Sequence, residues 1–234
     1  RSFADASKLV ELNPRKATAY QLRSVIAAKK GDYDQSIADA SKALEFDPSL
    51  AAAYDSRSLA YFDKGDWDRC IADASKALER DPKLATAYDR RGAAHSEKGD
   101  YGQSISDASK AIELDPKLAA AYNTRSWAYV KMGDYDRGIA DATKAIDLNP
   151  KLAAPYNSRG LAFTKMGDYD RAIVDARKAI DLNPKLALAY GIRGFAYAKK
   201  GDVKSAIADY RRQLALAPNN HLIKEVLQHL GASP

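Results

Sequence analysis

The chain has one cysteine, Cys70, and three histidines among 234 residues. A single thiol excludes an internal disulfide and leaves the redox compartment open. His95 stands alone, and His221 and His229 lie eight residues apart, too far along a helix to share a metal ion. No run of 18 or more apolar residues is present, so no segment reads as a membrane-spanning helix. Charge of one sign is also lacking: the net charge is +6, but 37 basic residues interleave with 31 acidic ones, which makes a mixed surface and not a polybasic block.

What the sequence does have is a period. Pro14, Pro48, Pro82, Pro116, Pro150, Pro184 and Pro218 recur every 34 residues, and a Gly-Asp pair recurs between them from Gly31-Asp32 to Gly201-Asp202. A strict repeat of this length means stacked copies of one supersecondary unit, each too small to bury its own apolar face. The type unit is residues 51–84, numbered here as repeat positions 1 to 34. Tyr54, Arg57, Ser58 and Tyr61 share one helical face. Gly65 can take the left-handed conformation that ends this first helix, and Asp66 can cap the next. The second helix turns Cys70, Ile71, Ala74, Ala77 and Leu78 toward its partner and stops at Asp81, before Pro82. The predicted fold is therefore all-α, a chain of helix-turn-helix hairpins. Ala at positions 24 and 27 and Ser or Gly at position 8 allow the helices to approach closely, and the tyrosine at position 4 fills the wider gaps.

These features resemble the tetratricopeptide repeat family over nearly the whole chain. The resemblance rests on the 34-residue period, the aromatic at position 4, the small residue at 8, the Gly-Asp-aromatic turn, Ala at 27 and Pro at 32. Two departures recur: position 7 is Arg in every copy, and position 24 is Ala except at Tyr210. The resemblance implies a right-handed superhelical solenoid whose first helices line a concave wall. One solenoid domain is expected over residues 1–234. It comprises a half repeat at 1–16, full repeats at 17–50, 51–84, 85–118, 119–152, 153–186 and 187–220, and a capping helix at 221–230. In the cap, Leu222, Ile223, Val226, Leu227 and Leu230 are expected to cover the last repeat. Phe3, Leu9 and Leu12 are expected to be partly bare, with more chain preceding Arg1.

Charged residues form a ladder within the hairpins. Arg23, Arg57, Arg91, Arg125, Arg159 and Arg193 occupy position 7, and Asp39, Asp73, Asp107, Asp141, Asp175 and Asp209 occupy position 23, side by side in an antiparallel hairpin. Structural ion pairs are the expectation, because a partly desolvated guanidinium needs a partner. The alternative is an arginine ladder that reads phosphates across an open groove. The wall positions, by contrast, vary from copy to copy, and a peptide-binding groove is expected from Asp55, Leu59, Phe62, Asp89, Arg90, Asn123, Trp127, Val130, Asn157, Leu161 and Phe195. Trp127 with Asn123 and Asn157 forms the expected hot spot, since amides can pair with peptide backbone and Trp offers a large rigid surface.

The function expected is a protein-interaction scaffold binding a peptide segment or a partner helix. The lysine and asparagine pattern of family members that grip chaperone C-terminal tails is missing here, which disfavours that partner. RNA or another polyanion is the alternative, through Lys29, Lys131, Lys165 and Lys199 at position 13, interrupted by Asp63 and Glu97. Self-assembly through the uncapped N-terminal end is a third. No catalytic constellation, cofactor site or metal site is read, and Cys70 reads as a small filler.

Overall fold

The computed structural model describes residues 2–233; the start of the expected half repeat, Arg1, lies outside the described residues. Among the described residues there are fourteen α-helices and no strands, with α1 at Phe3–Leu12 and α2 to α13 as six successive pairs. The pairs are α2 (Ala17–Lys29) with α3 (Tyr33–Phe46), α4 (Ala51–Asp63) with α5 (Trp67–Arg80), and α6 (Ala85–Glu97) with α7 (Tyr101–Leu114). They continue as α8 (Ala119–Met132) with α9 (Tyr135–Leu148), α10 (Ala153–Met166) with α11 (Tyr169–Leu182), and α12 (Ala187–Lys199) with α13 (Val203–Leu216), followed by α14 (His221–His229). The architecture is an all-α helical-repeat solenoid.

The punctuation within each hairpin is local. Gly31, Gly65, Gly99, Gly133, Gly167 and Gly201 all sit at φ between 76° and 88°, the left-handed region that closes the first helix. The aspartate that follows each one accepts a backbone N–H from three residues on, at 3.0–3.2 Å, and so caps the second helix. After the second helix the chain turns extended at an Asp, Asn or Ala cap residue and passes through the repeating proline.

The chain forms two compact units, divided between Thr124 and Arg125. In the first, each hairpin packs on the next through its second helix, α3 against α4 and α5 against α6, while the first helices α2, α4 and α6 touch in succession. In the second, α9 meets α10, α11 meets α12, α10 meets α12, and α14 packs on α13.

The contacts are made by very small side chains. Ala40, Ala43, Ala74, Ala77, Ala108, Ala111, Ala142, Ala145, Ala176 and Ala179, all at positions 24 and 27, are 0% exposed. Position 8 crosses the carbonyl of position 20. Ser24 Oγ donates to Ser36 O at 2.9 Å, Ser126 Oγ donates to Gly138 O at 2.7 Å, and a Cβ on Gly92 would stand 3.1 Å from Ser104 O. Helix axes this close leave no room for a longer side chain.

α14 closes the second unit with Leu227, fully buried against Ala206 and Tyr210, and with Ile223, Val226 and Leu230 partly buried beside it. Leu222 does not join them: it is 72% exposed, because it stands one helical step outside the stripe that 223, 226, 227 and 230 make. At the other end Leu9 is 37% and Leu12 68% exposed.

Ala142→Leu forces added volume into a zero-clearance contact and is expected to lower stability by about 1–3 kcal/mol, read as a lower urea midpoint at unchanged slope.

Candidate binding surface

Six Arg–Asp pairs fix the interior edge of the surface. In every full repeat the position-7 guanidinium meets the position-23 carboxylate in a bidentate fork, with Nε to Oδ2 at 2.6–2.8 Å and Nη2 to Oδ1 at 2.6–2.9 Å. The aspartate side chains are 4–12% exposed and the arginines 19–24%. Each guanidinium faces its own hairpin partner and not an open groove. Arg23, Arg57, Arg91, Arg159 and Arg193 also lie 5.6–5.9 Å from the ring centroids of their position-4 tyrosines, Tyr20, Tyr54, Tyr88, Tyr156 and Tyr190. Three of those tyrosines tie back to the repeating proline: Tyr20, Tyr156 and Tyr190 donate to the carbonyls of Pro14, Pro150 and Pro184 at 3.2–3.4 Å.

A third hydrogen bond carries the arginine into the preceding repeat. Arg57 Nη1 donates to Ser41 Oγ at 2.9 Å, Arg91 Nη1 to Ser75 Oγ at 3.2 Å, and Arg159 Nη1 to Thr143 Oγ1 at 3.0 Å. These hydroxyls stand at position 25, and the sequence reading passed over them. The signal was present: position 25 is Ser or Thr in the first four repeats and Arg177 and Arg211 in the last two.

The first helices α2, α4, α6 and α8 are joined by a second polar ladder, from position 5 of one repeat to position 6 of the next. Gln21 Nε2 donates to Ser56 Oγ at 3.2 Å. Arg90 Nη1 donates to the Asp55 carbonyl at 3.0 Å and pairs with the Asp55 carboxylate, which also accepts from Thr86 Oγ1 at 3.1 Å. Thr124 Oγ1 donates to Asp89 Oδ1 at 2.8 Å. Asp55, Asp89 and Arg90, expected to face a ligand, are thus held half-buried between neighbouring helices. Desolvation pushes the Asp89 carboxyl above the ordinary aspartate range, and the Thr124 bond and Arg90 offset it only in part.

The remaining wall residues divide by exposure. Phe195 is 41% exposed, and Leu59, Trp127 and Leu161 are half-buried. Phe62 is half-buried against Trp67, with ring centroids 5.1 Å apart. Lys131 Nζ lies 5.5 Å from the Trp127 ring, and Lys199 Nζ 5.4 Å from the Phe195 ring. Two residues lie inside: Val130, 4% exposed, fills the space over Gly138, and Asn157 is 6% exposed. Val130 at position 12 lies directly against Gly138 at position 20, and with no side chain on the glycine the valine is drawn into the core. Asn123 is half-buried. Leu161 and Phe195 are brought together on one open cavity of about 460 Å³ in the second unit, with Leu188 and Gln213. Gln213 was not expected, although it breaks a run of five alanines at position 27.

Among the described residues no group of three or more His, Cys, Asp or Glu could hold a metal ion. Burial pushes the Cys70 thiol up to about 12, so it stays protonated at neutral pH. No helix is long and apolar enough to cross a membrane among the described residues.

Arg159→Leu and Asp175→Leu are each expected to cost about 3–5 kcal/mol, because each strands a desolvated charge, while the double change costs less than the two added together; a double-mutant cycle by urea unfolding reads the coupling. Asp89 gives a pH test. Its pKa is raised on folding, so its favourable contribution is complete below the unfolded aspartate pKa and is lost as pH rises through the folded value. Asp89→Asn keeps the acceptor for Thr124, and it is expected to raise Tm at pH 7–8 and to give no gain at pH 3.

Comparison with known proteins accords with this geometry. Residues 17–50, 85–118 and 187–220, residues 119–152, and residues 153–186 each match the tetratricopeptide repeat. No curated protein sequence matches the chain. Among solved structures, a chain of the APC/C hetero-tetramer Cut9–Hcn1 superposes with a TM-score of 0.89 at 20% identity, over 97% of this chain and 45% of that one. The chain therefore spans less than half the length of that relative. A tetratricopeptide repeat protein from Parabacteroides merdae superposes with a TM-score of 0.73 at 19% identity, over 98% and 91% of the two chains. MamA follows at 0.56 and 29% identity, over 73% and 93%. The repeat is typically a non-catalytic scaffold for protein–protein interaction. With the hairpins, their caps and the matched repeats in agreement, this chain belongs to the tetratricopeptide repeat family.

Proposed function

We propose that the chain is a non-catalytic interaction module that holds a peptide segment or a partner helix against the first helices of its repeats. One observation carries the reading: along helices whose packing positions are nearly invariant, position 9 changes from Leu59 to Trp127, Leu161 and Phe195, and these large side chains keep part of their surface in water. Apolar area of this kind gains free energy only when something covers it. The polar ladder beside it is engaged within the protein, so Asp55, Asp89 and Arg90 act here as supports for the wall. Dispersed carboxylates and a protonated buried thiol support a role without chemistry.

A polyanion is the second reading, favoured by the exposure of Lys29, Lys131, Lys165 and Lys199. It requires a steep fall of affinity for single-stranded RNA between low and moderate salt.

In affinity capture with the intact chain, Trp127→Ala and Phe195→Ala together are expected to release the bound proteins while leaving Tm within about 2 °C. Unchanged capture by that variant would remove the reading, and so would salt-sensitive RNA in place of protein in the eluate.

A further inference from the structure

The last repeat breaks the pattern at two positions that touch. Position 5 is Gln, Asp or Asn in the first five repeats and Gly191 in the sixth, and position 27 is Ala in the first five and Gln213 in the sixth. A Cβ on Gly191 would stand 2.6–2.8 Å from the Gln213 side-chain amide. The space left by the missing methyl is thus the space that Gln213 fills. An amide is supplied beside the first helix after all, now from α13 instead of α12.

That amide is incomplete. Gln213 is 7% exposed, and its Oε1 has no hydrogen-bond donor. It lines the cavity of about 460 Å³ whose walls are Leu161 from α10, Leu188 and Phe195 from α12, and Ile223 and Val226 from α14. Leu188 and Phe195 are 38% and 41% exposed, although α14 closes the rest of this end. Lys165 is the one charged side chain on the lining, itself exposed at the rim. A buried carbonyl oxygen without a donor favours a ligand that brings an N–H, bare apolar walls favour a large apolar group, and an unmatched cation favours a carboxylate. A helix spends its N–H groups internally, whereas an extended peptide offers them.

We propose that this cavity receives one large apolar side chain of an extended acidic peptide, whose backbone N–H donates to Gln213 Oε1 and whose neighbouring carboxylate pairs with Lys165. The proposal rests on the interaction reading above and names the ligand chemistry for one part of the surface. Lys199, over the Phe195 ring, strengthens the preference for negative charge.

The test titrates the intact ¹⁵N-labelled chain with three capped tripeptides: acetyl-Glu-Phe-Glu-amide, acetyl-Lys-Phe-Lys-amide and acetyl-Glu-Gly-Glu-amide. The acidic phenylalanine peptide is expected to give saturable shifts at the Gly191 and Phe195 amides and at the Gln213 side-chain NH₂. The other two should bind about tenfold more weakly or worse. Gln213→Ala installs the residue found at that position in the other five repeats, so it folds, and it should weaken the acidic peptide about tenfold. Lys165→Glu, a surface change, should invert the order of the acidic and basic peptides. Absent or scattered shifts overturn the proposal, as does an affinity unmoved by Gln213→Ala or an order unmoved by Lys165→Glu. Loss of these effects while the intact chain still captures a partner would remove this site and leave the general reading standing. Tripeptide binding without any captured protein would do the reverse.

Discussion

Helix contact at alanine distance is the constraint on which everything else rests. With positions 24 and 27 at zero exposure in the first five repeats and position 8 pressed on a carbonyl, those hairpins have no space for large aliphatic side chains at these contacts. Dispersion across closely apposed backbones, and not bulky side-chain burial, is the main attraction at these places. Such an interface tolerates few alternatives, so it repeats almost unchanged. In the first five repeats variation falls mainly on residues that point away from it, and in the sixth Tyr210 and Gln213 enter the packing positions themselves.

The arginine at position 7 follows from the same tightness. An apolar residue would fit the stripe, but the helices are close enough for one guanidinium to satisfy two carboxylate oxygens on the facing helix and to stack near the position-4 ring. A hydroxyl in the preceding repeat then takes the remaining donor where Ser41, Ser75 or Thr143 provides one. One side chain therefore connects three helices. The geometry costs desolvation and returns direction, since a planar fork admits one approach where an aliphatic contact admits many.

Most of this architecture was legible because it is written in residues that have one structural use. A glycine followed by aspartate on a strict period can hardly mean anything but a helix end and a helix start, and an arginine sixteen residues before an aspartate finds it across an antiparallel hairpin. The wall was harder to read. Helical phase alone puts Asp55, Asp89 and Val130 toward a ligand, but it does not register that the next first helix stands close enough to claim a position-5 carboxylate, or that Gly138 opens a socket for Val130. Gln213 escaped for the opposite reason: only reading positions 5 and 27 together exposes the exchange between Gly191 and Gln213.

The rungs from position 5 to position 6 carry a meaning for the order of the modules. Asp55 requires the arginine that only the following module supplies, Asp89 requires the hydroxyl of Thr124, and Gln21 reaches for Ser56. The hairpins are built alike, yet the edges of the first three are each keyed to a particular successor. Excising or transposing one module would leave half-buried acids facing the wrong neighbour, so an array that looks freely extensible by its shared skeleton is in fact a fixed sentence.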